Sequence, residues 1–230
     1  MFVVRLADVN ICIENKYDYV EKLCCDYVTS EKPDFSVFAT NDEIMAENVG
    51  GSMDAGYLES LAIYRKIAEN MIKYNAFLLH ASVIDVDGAG VAFLAKSGVG
   101  KTTHTRLWQE LYKDRVTVVN GDKPLVKFVG DKIFAFGTPW SGKENLQKNT
   151  KTELQKICFI ERCENNCCVP LGKEEAFERL INQIYMPKNR ELFLKTLEYM
   201  DLIIKKSQFY LIRCNTDISS AEISYKGIGL

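Results

Sequence analysis

The sequence predicts a mixed α/β fold, with mixed β-sheets and flanking helices. Short β-branched and apolar runs lie on both sides of a glycine-rich loop at residues 95–102, and apolar residues at helical spacing occur toward both ends of the chain. The elements do not alternate as regular βαβ units, which favours mixed sheets over a doubly wound parallel sheet. The 230 residues, 47% of them hydrophobic, are enough for one sizeable core. We predict a single domain over 1–230, with a strand-and-helix annex at 1–75 and a catalytic core at 76–230.

The elements expected before the glycine-rich loop follow from local patterning. Asp54 is a candidate N-cap because it directly precedes a helical apolar pattern. Asp87-Gly88 is the strongest turn signal of this part of the chain. The predicted elements are strands 2–6 and 9–14, helix 16–28, strand 33–40, a polar loop at 47–56, helix 57–72, and strands 77–86 and 91–95, the last two forming a hairpin.

After the loop, the pattern alternates less regularly. A Gly130-Asp131 turn joins two short apolar runs into a second hairpin. The predicted elements are helix 103–113, strand 115–119, a turn at 120–124, strands 124–130 and 132–137, a polar loop at 138–149, strand 154–161, helices 173–185 and 189–206, and strand 207–214.

Composition limits the classes of partner. The formal net charge is -2 and no long block of like charge occurs, so we expect no nucleic-acid partner. No run approaches the roughly 18 apolar residues of a membrane span, and the first residues turn polar too early for a signal peptide. We therefore expect a cytoplasmic protein with no membrane partner.

Eight cysteines are many for that compartment. A chain of this length without a secretion signal does not need a disulfide framework. The run at 158–168, CFIERCENNCC, matches none of the common zinc or iron–sulfur spacings and has no histidine nearby. We interpret these cysteines as reduced, with a metal site as the alternative.

The glycine-rich loop fits the phosphate-loop (Walker A) pattern, with Ala95 where the first glycine usually stands. Glycines allow successive backbone N–H groups to turn toward an anion, and the following helix adds the positive end of its dipole. Lys101 supplies a charge for the β- and γ-phosphates, and we expect its amine to face solvent before a ligand binds. The Thr102 hydroxyl is a candidate magnesium ligand. The predicted nucleotide-binding residues are Ser97, Gly98, Val99, Gly100, Lys101, Thr102 and Thr103.

Phosphoryl transfer also needs a carboxylate near the loop. Asp122 follows the apolar run VTVV, where a strand end would place a metal ligand or a general base, although NGDKP is also rich in turn formers. His80 lies on the strand before the loop and is a second catalytic candidate. His104 follows the loop on the predicted helix. Either histidine could instead be a core residue.

These residues resemble the catalytic domain of HPr kinase/phosphorylase, a family that shares its fold with phosphoenolpyruvate carboxykinase. The similar stretch is LLHASVIDVDGAGVAFLAKSGVGKTT, followed by VVNGD. It covers residues 77–125 closely and the remainder loosely. The resemblance implies a carboxykinase-like phosphate-loop kinase fold, ATP and Mg²⁺ as cofactors, and homo-oligomer formation.

Carried over by position, Lys101 matches the phosphate-binding lysine and His80 the active-site histidine. Thr102 and Asp122 match the magnesium-binding residues, and Asp122 also matches the base for an acceptor hydroxyl. Gly121 stands where the family has the first aspartate of a pair, which removes one acid/base or metal role. No phosphorylase signature is found, so reverse phosphorolysis is not expected.

The 138–149 loop and the strand before the cysteine run hold further candidates. Lys143 could neutralise charge on the transferring phosphoryl group, as arginine fingers do. Trp140 could pack against the acceptor, although a buried tryptophan in a surface loop is the alternative. Arg162 is a weaker candidate for the role proposed for Lys143.

The phosphate-loop pattern and the resemblance, which is greatest to the small stand-alone HPr-kinase-like proteins, together predict a phosphotransferase that moves the γ-phosphoryl group of Mg–ATP to a hydroxyl. The resemblance implies that this hydroxyl belongs to a serine of a protein or peptide. A small-molecule kinase and a nucleotide-binding regulatory module with little turnover are the alternatives. The sequence does not identify the acceptor or decide between ATP, GTP and pyrophosphate as donor.

Overall fold

The computed structural model describes residues 1–51 and 53–230, and these have a mixed α/β fold with a curled mixed sheet and flanking helices. The strands are β1 (Phe2–Leu6), β2 (Val9–Glu14), β3 (Phe35–Phe38), β4 (Ala76–Leu78), β5 (Ser82–Val86), β6 (Ala89–Leu94), β7 (Val116–Asn120), β8 (Leu125–Val129), β9 (Lys132–Phe136), β10 (Lys151–Arg162), β11 (Cys167–Pro170) and β12 (Gln208–Cys214). The helices are α1 (Asp18–Leu23), α2 (Asn41–Ala46), α3 (Ala55–Met71), α4 (Lys101–Tyr112), α5 (Lys173–Leu180), α6 (Arg190–Lys206) and α7 (Ser219–Gly227).

The strands form two sheets. β1, β2 and β3 make a three-stranded sheet before residue 75, and the remaining strands make a nine-stranded sheet that begins at Ala76. Within the larger sheet, β10 joins two parts, because its first residues pair with β9 and the rest lies between β6 and β12. This shared strand gives the sheet its curl.

Helices cover both faces of the larger sheet. On β6, Leu94 belongs to the core cluster that includes residues of α5 and α6, whereas Phe93 belongs to the cluster that includes residues of α4 and α7. Successive side chains of a strand point to opposite faces, so the two clusters lie on opposite sides of the sheet. The strands between them are buried on both faces, as their apolar sequences predict.

One edge of this sheet collects the carboxyl ends of four strands. β6 is parallel to β10, and β10 is parallel to β12. β5 is antiparallel to both β6 and β7, so β7 runs in the direction of β6. The segments that follow β6, β7, β10 and β12 therefore emerge at one edge, the usual location of a ligand site in open α/β sheets.

The helix α3 is anchored by two carboxylates near its first turns. Asp54 accepts a hydrogen bond from the Tyr57 backbone N–H at 3.0 Å, which confirms it as the N-cap. Glu59 is fully buried and accepts from the backbone N–H groups of Lys16 and Tyr17 at 2.6 and 2.9 Å. These bonds satisfy the buried charge and tie α3 to the segment before α1.

Two predicted elements are wrong in a way that matters for the site. The strand predicted at 77–86 is broken into β4 and β5, and the helix predicted at 173–185 ends at Leu180. Backbone pairing explains both, because His80 N–H donates to the Gln183 carbonyl at 2.7 Å and Tyr185 N–H donates to the Leu78 carbonyl at 3.1 Å. The 181–185 segment thus follows the break and does not continue the helix.

Other differences are local. The helix predicted at 16–28 is α1 followed by a 3₁₀ turn at Cys25–Tyr27, and α2, β11 and α7 were not predicted. Helix α2 begins with a capping box in which Thr40 and Glu43 each bind the other's backbone N–H. No helix in the described parts of the chain is long and apolar enough to cross a membrane.

Candidate active site

The glycine-rich loop, which we call the phosphate loop after its sequence pattern, connects β6 to α4 at the edge where the four strands end. Gly98 and Gly100 have φ angles of +79° and +126°, which L side chains rarely adopt, so the predicted need for glycine is confirmed at both positions. Ser97 and Gly98 are exposed. Helix α4 begins at Lys101 and directs its positive end at the loop. A glycine-rich loop followed by a helix N-terminus is suited to binding an anion.

Lys101 is buried, contrary to the expectation that its amine faces solvent. Its Nζ donates to the Ala95 carbonyl at 3.1 Å and lies 2.9 Å from Nε2 of His80. Burial lowers the pKa of the Lys101 ammonium, the negative charge of Asp122 opposes this, and the positive charge of Lys123 adds to it. The amine is therefore held inside the site and gains a charge partner if a phosphate enters.

His80 connects the lysine to the carboxylate. It lies in the break between β4 and β5, and its Nε2 is 3.1 Å from Oδ1 of Asp122. One ring nitrogen either carries a proton or offers a lone pair, so Nε2 can donate to Asp122 or accept from Lys101 but cannot do both at once. The position of one proton therefore determines which of the two contacts is a hydrogen bond.

Asp122 is held as a carboxylate. Burial by itself would raise the pKa of Asp122, but the hydrogen bond to His80 and the charge and hydrogen bond of Lys123 hold it well below its usual range. Lys123 Nζ lies 2.6 Å from Oδ2. The carboxylate therefore stays ionised at neutral pH, as a metal ligand or a general base must be.

The turn that carries Asp122 is fixed by Asn120. Its buried Oδ1 accepts from the backbone N–H groups of Asp122 and Lys123 at 2.9 and 2.7 Å. Its Nδ2 donates to the Thr138 carbonyl at 3.0 Å, and the Tyr64 hydroxyl donates to the Lys123 carbonyl at 2.6 Å. Asn120 thus forms an Asx-type turn that is anchored from two other segments.

Gly121 allows close approach of the 138–149 loop. A Cβ atom at this position would lie 3.0 Å from the Ser141 carbonyl oxygen and 3.2 Å from Cβ of Leu146. The volume that a side chain at 121 would need is therefore filled by this loop. The loop therefore packs closely against the residue that precedes Asp122.

The 138–149 loop lies against Asp122, but only part of it remains a site candidate. Trp140 is buried, stacks on Tyr64 at a ring distance of 4.1 Å and donates its indole N–H to the Ser60 carbonyl at 3.0 Å. Because its ring belongs to the core, Trp140 offers no surface to an acceptor, contrary to the expectation. Lys143 is exposed and follows Gly142, where a Cβ would lie 3.1 Å from Cβ of Asp122.

Arg162 lies closer to the phosphate loop than the sequence predicts. Its guanidinium donates from Nε to the Val99 carbonyl at 2.9 Å and from Nη2 to the Gly98 carbonyl. These bonds occupy loop carbonyls, so the loop can turn its N–H groups to a ligand while the guanidinium adds positive charge.

Two cavities flank the loop. The first, which we call the β12 pocket, has a volume of about 540 Å³ and lies on the α4 side, between the loop and the segments that follow β10 and β12. Val99, Thr103, Ile160, Asn215 and Thr216 are among its lining residues. The second, the α5 pocket, has a volume of about 610 Å³ and lies between the loop and helix α5. Gln183, which accepts from His80 through its carbonyl, lines the α5 pocket.

His104 is a core residue that helps to join two helices. It is buried, Trp108 donates its indole N–H to Nε2 at 3.0 Å, and Ser224 lies 3.2 Å from the same atom. Burial lowers the pKa of His104 to about 4. These contacts join α4 to α7 and leave His104 neutral at physiological pH.

The candidate metal ligands are Thr102, half-buried at the start of α4, and Asp122. Among the described residues no group of three or more His, Cys, Asp or Glu side chains could hold a metal ion, and all eight cysteines are free. One carboxylate and one hydroxyl are a fitting donor set for Mg²⁺, which takes its other ligands from substrate phosphates and water. Lys123 would have to yield Oδ2 of Asp122 for that purpose.

The structure adds residues that sequence reasoning missed. Asn120, Lys123 and Gln183 all contact the Lys101–His80–Asp122 cluster or its backbone. The Asx-turn pattern of Asn120 in NGDKP was readable from the sequence. Gln183 was not, because only the break in the chain at His80 brings the two segments together.

No protein-family model matches the chain, and a search of curated proteins finds no similar sequence. Among solved structures, a match is found to the HPr(Ser) kinase/phosphatase from Coxiella burnetii, at 13% identity and a TM-score of 0.30. The match covers 56% of this chain and 92% of that chain.

Proposed function

We propose that the protein is a kinase that transfers the γ-phosphoryl group of Mg–ATP to a hydroxyl, on a serine of a protein or peptide. A single observation carries the proposal: Lys101, His80 and Asp122 come from three separate segments and meet beside the phosphate loop. Their atoms form a chain with steps of 2.9 and 3.1 Å. A phosphate-binding loop alone indicates a bound anion, whereas a carboxylate and a histidine beside it indicate chemistry on that anion.

The loop and its neighbours supply the nucleotide site. The N–H groups of the loop and the start of α4 would hold the phosphates, with Lys101 and Arg162 as the charged partners. The β12 pocket adjoins the same loop through Val99 and Thr103 and has room for a base and ribose. With the base in the β12 pocket, the triphosphate would run past Lys101 toward Asp122.

Mg²⁺, where bound by Thr102 and Asp122, supplies charge neutralisation on the phosphates. The chain's own groups orient the acceptor. In the transfer, the hydroxyl oxygen forms a bond to the γ-phosphorus, and the bond from the γ-phosphorus to the bridging oxygen breaks. The bond pair leaves on ADP. Asp122 accepts the hydroxyl proton, and His80 holds the carboxylate in place from Nε2.

The first alternative, a small-molecule kinase, would use the same site and would differ only in its acceptor. The nucleotide-binding module with little turnover is favoured by a specific observation. Both oxygens of Asp122 are already engaged, by His80 and Lys123, and Gly121 brings no second carboxylate. Turnover with any acceptor distinguishes the two kinases from the module.

The nucleotide site is tested by replacing Lys101. Lys101→Met keeps most of the buried stem and removes the charge, so it tests the charge with less loss of packing than alanine. We expect Mg–ATP affinity to fall by about 2 to 4 kcal/mol, the scale of losing one partner of a charge-assisted phosphate contact. Isothermal titration calorimetry measures the change.

The matched control is Lys22→Met, which removes an exposed lysine of α1, outside the candidate site. It should leave Mg–ATP affinity unchanged. A circular dichroism spectrum and a melting curve establish that Lys101→Met is folded. Equal affinity in the folded Lys101 variant and the wild type would refute the phosphate-loop assignment.

A further inference from the structure

The α5 pocket lies on the catalytic side of the phosphate loop. Its lining includes Ala95 and Lys96 of the loop and Gln183 of the segment that pairs with the break at His80. Because the Gln183 carbonyl accepts from the His80 N–H, this wall is continuous with the catalytic cluster. The β12 pocket, by contrast, reaches the loop from the side of Thr103 and His104. A second substrate that must reach the γ-phosphate beside Asp122 is therefore better placed in the α5 pocket.

Gln183 presents an unsatisfied polar group at this wall. The residue is 8% exposed, and its Oε1 is buried with no hydrogen-bond partner among the described residues. A buried acceptor without a donor costs on the order of 1 to 3 kcal/mol, so native structures rarely leave one without a reason. A ligand that brings an N–H or O–H donor into the pocket would satisfy it once the Gln183 side chain turns its amide toward the ligand.

The charges of the pocket are divided between its two sides. The positive charges of Lys96 and Arg162 belong to the loop side, where Arg162 binds loop carbonyls and both would face a triphosphate. The opposite side carries Glu161, Glu175 and Glu178.

Two of these three glutamates are paired. Arg179 lies 2.8 Å from Glu161 and 2.7 Å from Glu175, and Arg213 lies 3.2 Å from Glu161. Glu178 is exposed and has no ion-pair partner among the described residues. Three carboxylates against two guanidinium groups leave one negative charge in excess on the side away from the loop.

We propose that the α5 pocket binds the acceptor, and that this acceptor carries an ammonium or guanidinium group beside its reactive hydroxyl. The inference rests on the kinase function proposed above. The cationic group contacts Glu178, and a donor of the acceptor satisfies Gln183. The hydroxyl oxygen then forms its bond to the γ-phosphorus, ADP leaves with the bond pair, and the hydroxyl proton passes to Asp122. A basic serine peptide and a small amino alcohol share this chemistry.

The test uses probes that differ only in charge. The peptide probes contain one serine, with arginine, alanine or glutamate two residues away. The small probes are ethanolamine and the uncharged ethylene glycol. ADP formation gives KM and kcat for each with the wild-type protein. Binding of each probe to protein saturated with Mg²⁺ and the non-hydrolysable analogue AMP-PNP gives a readout that needs no turnover.

We expect a cationic probe to bind better than its neutral and acidic counterparts. Glu178→Gln should raise KM, or Kd, for that probe about two- to fivefold, the size of one exposed ion pair, with little effect on kcat. Glu178→Lys should reverse the preference toward the glutamate peptide, which loss of structure alone would not do. Gln183→Leu should weaken all acceptors about fivefold or more. Glu174→Gln, on the same helix but outside the pocket lining, should behave as wild type.

The outcomes separate the two proposals. Preference for the arginine peptide over ethanolamine identifies a peptide source, and the reverse identifies a small molecule. If Mg–ATP binds but no cationic probe binds saturably, or charge reversal at Glu178 leaves the preference unchanged, the acceptor inference is overturned while the kinase proposal stands. If Mg–ATP does not bind at all, the proposed function itself fails and the acceptor inference falls with it.

Discussion

At the scale of single residues, one imidazole nitrogen of His80 lies between Lys101 and Asp122. Lys101 donates to the Ala95 carbonyl and competes with Asp122 for Nε2 of His80, and Asp122 also pairs with Lys123. A triphosphate that attracts Lys101 would leave Nε2 of His80 free to donate to Asp122. In the proposed mechanism, nucleotide binding and the orientation of the carboxylate are thereby coupled through one imidazole nitrogen.

The role of Asp122 is tested by Asp122→Asn. The substitution keeps the shape and removes the negative charge, which acts mainly in the transition state. We expect Mg–ATP affinity to stay within about tenfold, or about 1.4 kcal/mol, and turnover to fall roughly 10²-fold or more. Calorimetry measures the first quantity and Mg²⁺-dependent ADP formation the second.

Asp114→Asn is the matched control, because Asp114 is exposed and lies outside the cluster. Full activity in Asp122→Asn would mean that the aspartate only shapes the turn. A wild-type protein that binds ATP but transfers phosphate to no acceptor, and hydrolyses none above background, would favour the regulatory module.

Residue-level prediction succeeded where the chemistry is local. The positive φ angles at Gly98 and Gly100 follow from the motif itself. The burial of two other side chains does not follow from the sequence pattern. Trp140 is buried because it stacks on Tyr64 of α3, and Lys101 because its amine binds the Ala95 carbonyl. Likewise, the sequence shows a missing aspartate at Gly121 but not the loop that fills its place.

At the scale of elements, α4 carries Lys101, the lysine proposed to bind phosphate, and also packs against α7. The buried His104 receives the indole N–H of Trp108 and contacts Ser224 of α7. A charged imidazole would lose the lone pair that accepts this bond and would place an unpaired charge in the core. The attachment of α4 therefore depends on His104 remaining neutral.

We expect stability to fall on acidification through this residue. Burial lowers the folded-state pKa of His104 to about 4, below the ordinary value of 6.5, so the unfolded chain binds the proton first. The stabilisation is present above the unfolded pKa and is lost as the pH falls toward the folded one. Between pH 7.5 and 5 the loss should be about 2 kcal/mol, by proton linkage.

Urea unfolding at the two pH values measures this slope. In His104→Gln the side-chain oxygen can still accept from Trp108 but does not titrate, so the loss should shrink by about that amount. Carboxylates titrate equally in both proteins and cancel in the comparison. An unchanged slope in the variant would show that the environment of His104 does not oppose its protonation.

Elements were predictable where one periodic pattern sets the structure. Helix α3 with its Asp54 cap and the β8–β9 hairpin around Gly130 agree with the sequence. The 77–86 run reads as one strand because most of its residues are apolar or β-branched, yet backbone pairing with 181–185 divides it at His80. The same pairing ends α5 early, so two errors in distant parts of the sequence have one tertiary cause.

At the scale of the whole molecule, the common direction of β6, β7, β10 and β12 brings the residues of the candidate site to one edge of the sheet. The phosphate loop, Asp122, Arg162 and Asn215 each follow or end one of these strands. The sequence predicts the strands but not their order, and the order β12–β10–β6–β5–β7 is what brings the four segments to one edge. Sequence reasoning therefore named members of the candidate site but not the edge that brings them together.

The position of the candidate site at this edge leads to a prediction about nucleotide binding. Saturating Mg–ATP should stabilise the protein by about 2.7 kcal/mol at a hundred times Kd, because it binds the native state alone. Amide hydrogen exchange should show which backbone segments the nucleotide stabilises. We expect slower exchange at residues 95–103, 120–124 and 214–216, since these backbone segments surround the loop and the β12 pocket. The three-stranded sheet β1–β2–β3 has no segment at this edge and should exchange at the same rate with and without ligand.

The pattern of protection distinguishes the assigned site from any other anion site. ADP with Mg²⁺ should protect 95–103 and 214–216 but protect 120–124 less, because Asp122 is assigned to the γ-phosphate side of Lys101. Inorganic phosphate, which lacks a base, should protect the loop without 214–216. If ATP protected the β1–β2–β3 sheet and left residues 95–103 unchanged, the nucleotide would bind away from the strand ends. The convergence of the four strands would then have no part in its recognition.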